Sequence, residues 1–147
     1  MPVLVVGADS EVGEAVIGRL RSRAGEVRAF VSDPAAGARL RAAGVKTAIG
    51  DVSDLSHVGG ASLGAFSAVL IASTATDGRE ISFGNPRSLV EGWIGALAAA
   101  GVTRIIVVGA SPAAFPPGIE ATTVPAEGRP VDEVAADVAE RDDAARL

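Results

Sequence analysis

Val3-Leu4-Val5-Val6-Gly7-Ala8-Asp9-Ser10-Glu11-Val12-Gly13-Glu14-Ala15-Val16 decides the fold. Val3 to Val6 is an unbroken apolar run, the mark of a strand buried on both faces. Gly7 turns the chain. Gly13 then falls inside a segment where Val12, Val16, Ile17 and Leu20 recur at helical spacing. Strand, tight turn and helix start together form the unit in which open first-turn amides face a pyrophosphate.

Outward from this stretch, strand-like and helix-like segments alternate, the pattern of a parallel sheet covered on both faces. The first helix is expected over residues 11–24, ended by Gly25. Val27–Val31 is the second strand. Ser32-Asp33-Pro34 opens a second helix with a polar cap and a first-turn proline, and that helix carries Leu40 and stops at Gly44. Residues 45–49 form the third strand, closed by Gly50-Asp51. A short glycine-broken helix is expected over 54–64, a fourth strand over 68–72, a fourth helix over 86–100 and a fifth strand over Arg104–Val108. Residues 112–130 hold five prolines and read as a loop, and 131–147 as a charged, Ala-rich terminal helix. Internal repeats are absent. Right-handed crossovers give a doubly wound, Rossmann-like α/β domain with a five-stranded parallel sheet in the order 3-2-1-4-5, the whole chain forming one domain. Gly7 to Ser10, Ser32, Asp51, Ala72, Ser73, Thr74 and the stretch from Gly109 to Ser111 converge on one crevice at the carboxyl ends of the strands.

The 147 residues suit one domain and bury enough surface to fold without staples. The sequence has no cysteine, which excludes disulfides and thiolate metal sites and fits a reducing, cytoplasmic setting. A net charge of −5 leaves no basic footprint for nucleic acid. No apolar run approaches the ~18 residues of a membrane span, and the first strand starts too early to be a signal peptide. Lys46 is the only lysine among many arginines, and with the abundant Ala and Gly this reads as a GC-rich bacterial gene.

The glycine loop resembles the G-A-T-G-x-x-G of atypical short-chain dehydrogenases, above all the NmrA-like group. Gly7, Ala8 and Gly13 match, while Asp9 and Ser10 depart. Glu26 to Pro34 is similar to the family's V-R-A-L-V-R-D-P, Leu40 to Asp54 to its L-x-x-x-G-V-E-x-V-x-G-D-L-x-D, and Ala98 to Val108 to its A-A-x-A-G-V-K-R-I-V-x-V. The resemblance implies that Gly7, Ala8, Asp9, Ser10, Glu11, Val12 and Gly13 face the pyrophosphate of NAD or NADP. It implies that Asp51 and Val52 face the adenine. Ser32 stands where the family normally has an Arg for the 2′-phosphate of NADP, and a hydroxyl cannot make that bidentate charged pair. Asp33 fits either a ribose ligand or a helix cap. Ser111 aligns with the serine that active short-chain dehydrogenases use to hold a substrate carbonyl. Their Tyr-x-x-x-Lys pair has no counterpart, because the chain has no tyrosine and its lysine lies far upstream. The corresponding positions 134–142 carry Glu, Asp and Arg141. No catalytic residue is assigned.

Asp9, Glu11 and Glu14 crowd a helix start that should receive an anion. Two like charges at ~4 Å repel by roughly 4 kcal/mol at an effective dielectric of 20. The helix dipole returns only about 0.3–1 kcal/mol. A carboxylate aimed at the pyrophosphate therefore defeats binding. The other reading is that Asp9 or Ser10 caps the helix and the glutamates face water, which leaves binding weakened but intact. Two functions follow: an NAD(P)-binding protein acting as a minimal oxidoreductase or a non-catalytic redox sensor, or a degenerate Rossmann module without cofactor that acts through protein association.

His57 lacks a second histidine or cysteine nearby and reads as an exposed residue. Asp51, Asp54 and Asp77 read as caps and solvated turns, so no metal site is assigned. Trp93 fits core packing or an interface equally. Helix four shows two apolar stripes, Leu89, Trp93, Ala96 and Ala100 beside Val90, Ile94, Leu97 and Ala98. A homodimer through this helix is one way to cover the second stripe. The other is the 112–130 loop folding back over it.

Overall fold

The computed structural model describes residues 1–23, 25–76, 85–109 and 114–147. Its strands are β1 (Val3–Val6), β2 (Val27–Val31), β3 (Lys46–Ile49), β4 (Ser67–Ile71), β5 (Arg104–Val108) and β6 (Glu120–Val124). Its helices are α1 (Glu11–Arg21), α2 (Pro34–Ala42), α3 (Leu55–Ala61), α4 (Pro86–Ala99) and α5 (Val131–Asp143), with a 3-10 turn over Ala72–Thr76. All strand pairings are parallel, in the order β3-β2-β1-β4-β5-β6.

The expected five strands are thus six. Glu120-Ala-Thr-Thr-Val124 lies inside the stretch expected to be loop, and pairs with β5 from Arg104↔Glu120 to Val108↔Val124. Only Val124 in it is fully buried, the other four being half-buried. An edge strand of this kind needs no apolar run, and its flanking prolines outweigh the β-branched Thr122, Thr123 and Val124 in a reading by pattern.

Strand alternation divides the core into two layers. Leu4, Val6, Phe30, Leu70, Ile105 and Val107 face α3 and α4, where they meet Val58, Leu89, Trp93 and Leu97. Val3, Val5, Ala29, Val31, Val69, Ile71, Ile106 and Val108 face the other way, onto Val16, Ile17 and Leu20 of α1 and Val134, Ala135 and Val138 of α5.

Each of the first four helices starts on a side chain that accepts an amide of its first turn. Ser10 accepts from Gly13, Asp33 from Ala35, Asp54 from His57 and Asn85 from Ser88. The large side chains of both stripes are buried within one chain, Leu89, Trp93 and Leu97 at 0% exposed, Val90 at 4% and Ile94 at 2%, while Ala96, Ala98 and Ala100 are half-buried. Phe115 and Ile119, which precede β6, pack against the same cluster. The following segment of the same chain thus covers part of α4, and the large apolar side chains of its second stripe are not exposed among the described residues. Trp93 is core.

At the amino ends of the strands, polar groups pin α5 to the sheet. Arg104, 2% exposed, bonds Glu120 at 2.6 and 2.9 Å and the carbonyl of Asp142 at 2.7 Å. The Asp142 carboxylate accepts from Ser67 Oγ and Arg23, both at 2.6 Å. A hollow of about 280 Å³ beside them is lined by Met1, Phe66 and Ala144 as well. This end lies opposite the crevice.

Candidate functional site

At the carboxyl end of β1, Gly7 takes φ +87°, which side-chain-bearing residues rarely adopt, and its amide donates to Phe30 O of β2 at 3.0 Å. Gly13 permits the second close approach. A β-carbon there would stand 2.3 Å from the carbonyl oxygen of Gly7 and 2.7 Å from the Cα of Ala8. Both neighbours are backbone, so only glycine closes the loop this tightly. Ser10 locks it further: its hydroxyl donates to Gly7 O at 2.8 Å and accepts from Gly13 N at 3.0 Å. The amides of Glu11 and Val12, in the first turn of α1, have no acceptor within the helix. An open helix start of this kind suits an anion.

The carboxylates do not crowd that end as a direct clash requires. Asp9 turns sideways to the β2–α2 junction, where its Oδ2 accepts from Ser32 N at 3.1 Å, Ser32 Oγ at 3.0 Å and Asp33 N at 3.2 Å. Glu14 pairs with Arg39 of α2 at 3.0 Å, and Glu11 is exposed. Ser10 is the cap of α1, and Asp33 is the cap of α2 through Ala35 N at 3.1 Å.

The remaining expected residues divide. Ala8 and Ala72 are buried, Val12 and Ser32 half-buried, and Ser73 exposed. Thr74 is buried beneath Gly7 and donates to Ile71 O at 2.7 Å, so it shapes the floor. Asp51 is exposed and accepts from Ser53 N and Oγ, both at 2.8 Å. Val52 faces inward, 0% exposed, and its carbonyl accepts the Trp93 indole N–H at 2.6 Å. Its side chain is core, although its backbone carries the β3–α3 loop. Ser111 and Asp77 lie outside the described residues.

Pattern reading also missed a contact on the β3 side. His57 crosses Phe30 edge to face, with ring centroids 4.9 Å apart, and its ring leaves no room for a β-carbon at Gly50. Gly50 before Asp51 is the one signal of that approach in the sequence. Lys46 starts β3 at the end away from the crevice and pairs with Glu26 at 3.0 Å. Among the described residues no group of three or more His, Cys, Asp or Glu could hold a metal ion.

A crevice with a glycine turn, an open helix start and a strand-end rim suits a dinucleotide. A family model described as NAD(P)H-binding matches residues 7–144. No curated protein sequence matches the chain. Among solved structures, an NADPH-dependent quinone oxidoreductase from Escherichia coli in complex with NADPH is 27% identical at a TM-score of 0.61, over 73% of this chain and 36% of that one. The Citrobacter triphenylmethane reductase complexed with NADP(H) is 22% identical at a TM-score of 0.61, over 74% and 37%. ChuY, an anaerobillin reductase from Escherichia coli, shares the fold at 18% identity and a TM-score of 0.75, over 100% and 93%. The chain thus spans only about a third of the length of the first two.

Proposed function

Because the chain belongs to the NAD(P)H-binding family, we propose that it holds a nicotinamide dinucleotide across the carboxyl ends of β1 to β4 and serves as a small reductase. The observation that carries this reading is the Gly7–Gly13 loop, closed so tightly that only glycine fits, ahead of the open amides of Glu11 and Val12. Those amides would take the pyrophosphate, and the β2–α2 and β3–α3 loops would flank the adenosine. Thr74 and Ala72 would floor the crevice toward the nicotinamide. When bound, a reduced nicotinamide supplies a hydride.

The chain has no tyrosine, and its single lysine sits at the opposite end of the sheet. The protein's part in the reaction is therefore positioning, with the balancing proton drawn from solvent. Acceptors that take a hydride without side-chain acid catalysis, such as quinones, flavins or conjugated dyes, fit this site, and simple ketones do not. Mixing purified protein with NADH or NADPH and a quinone tests it. Enhanced loss of the reduced nicotinamide with no side-chain titration in the rate supports the reading, and efficient reduction of a simple ketone contradicts it.

The alternative of a module that lost its cofactor and acts through association finds little surface. Among the described residues the exposed large hydrophobics are Met1, Leu63 and Leu147. A monomer is the assembly this surface favours, and the cysteine-free composition suits the cytoplasm. No helix among the described residues is long and apolar enough to cross a membrane.

A further inference from the structure

We infer that Asp9 makes the site select NAD(H) over NADP(H). The inference rests on the dinucleotide reading above and concerns the adenosine end. In folds of this class the ribose 2′ position meets the loop that follows the second strand. An acidic side chain there takes a 2′-hydroxyl, and a cation there takes a 2′-phosphate. In this chain that loop is Ser32-Asp33, and its donors are already spent. Ser32 N, Ser32 Oγ and Asp33 N all converge on one oxygen, Oδ2 of Asp9, at 3.1, 3.0 and 3.2 Å.

This is the donor set an incoming phosphate would need. Two backbone amides and a hydroxyl form a small anion nest, and the protein fills it with its own carboxylate. A 2′-phosphate meets both an occupied nest and the charge that occupies it. Asp33 adds a second carboxylate at the same junction, held there by its cap to Ala35. Arg39 of α2 pairs with Glu14 at 3.0 Å. A ribose 2′-hydroxyl meets the reverse situation. Oδ1 of Asp9 makes no hydrogen bond among the described residues, which leaves an acceptor for a neutral donor.

The selectivity comes from the glycine loop itself, reaching across to β2. The residue that departs from the loop pattern at position 9 and the residue that departs at position 32 are thus one device. Replacing either alone leaves half of it.

Calorimetric titration of the purified chain with NADH and with NADPH tests the inference. Wild type is expected to bind NADH at least ~10-fold tighter, about 1.4 kcal/mol. Asp9→Asn keeps an oxygen acceptor for the three donors and removes the charge, and it should shrink the ratio below ~3-fold by tightening NADPH. Asp9→Asn with Ser32→Arg should invert the preference. A thermal melt of each variant confirms that it is folded, and adenosine diphosphate against its 2′-phosphorylated form repeats the comparison without the nicotinamide half. NADPH binding as tightly as NADH in wild type overturns this inference alone, as does a ratio unchanged in folded Asp9→Asn. Binding of neither dinucleotide overturns the reading beneath it as well.

Discussion

Gly7 packs directly against Thr74, whose Cγ2 and Oγ1 would each stand 2.5 Å from a β-carbon at position 7. The turn after β1 and the turn after β4 therefore share one contact at the centre of the crevice. Gly7→Ala should cost about 2–4 kcal/mol, from left-handed backbone and overpacking together. Adding Thr74→Ala should restore the packing part and leave the backbone part, which chemical denaturation of the single and double variants would resolve. Full recovery in the double variant would mean that the backbone at Gly7 is unstrained by a side chain.

Ser10 holds both ends of the loop, to Gly7 O and from Gly13 N. Ser10→Ala should lower stability by about 1 kcal/mol, the usual worth of a helix cap. Urea melts are the measurement. A loss below a few tenths would show that Asp9 or water takes over the cap.

Much of this was legible in the sequence. Five strand-like runs, each followed by Gly or Ser (Gly7, Ser32, Gly50, Ser73 and Gly109), and glycines at the helix ends sufficed for the order of five strands and for the crevice. β6 was not, because Glu120-Ala-Thr-Thr-Val124 is half-polar and bounded by prolines, and its pairing with β5 is a tertiary fact. The direction of Asp9 was equally hidden. Charge counting along the loop weighed Asp9 against a pyrophosphate, and the amides of Ser32 and Asp33 that capture it lie on another strand's end. The amphipathic pattern of α4 suggested a partner, and Phe115 and Ile119 take part of that role from a segment whose prolines concealed it.

Trp93 ties the loop bearing Asp51 to α4 through the carbonyl of Val52, at 2.6 Å in a fully buried setting. Trp93→Phe keeps most of the apolar volume but orphans that carbonyl. A loss of about 1–3 kcal/mol is expected, the cost of an unsatisfied buried acceptor. Thermal unfolding would register it, and an unchanged midpoint would mean that water replaces the indole.

Acid should loosen the contact between α5 and β6. The Arg141 hydrogen bond holds the Asp137 carboxyl below its ordinary range, helped by Arg129, while partial burial opposes. Arg141 in turn reaches Thr122 of β6 at 2.5 Å. A depressed folded-state value means the stabilisation is fully present above the ordinary carboxylate range near pH 4 and is lost as pH falls through the folded value. Asp137→Asn should remove this dependence at a cost of about 0.2–1 kcal/mol near neutrality, since the pair is only partly buried. Identical acid melts for the variant and the wild type would refute the assignment.

Light scattering at micromolar concentration should give a mass near the 14.6 kDa of one chain. Ile94, 2% exposed, and Leu97, 0%, offer almost no surface to a second copy. A stable dimer broken by Glu91→Arg on the exposed side of α4 would reverse this expectation.

Whether a dinucleotide seats on the glycine loop is read by calorimetric titration of NADH into wild type and into Gly13→Ala. Wild type should bind with a Kd on the order of 10–1000 μM, or about −4 to −7 kcal/mol. The alanine variant, if folded by its melting curve, should show no measurable heat, because its β-carbon would collide with Gly7 O and Ala8 and open the loop. No heat in wild type with millimolar dinucleotide, or equal affinity in both proteins, would contradict the account.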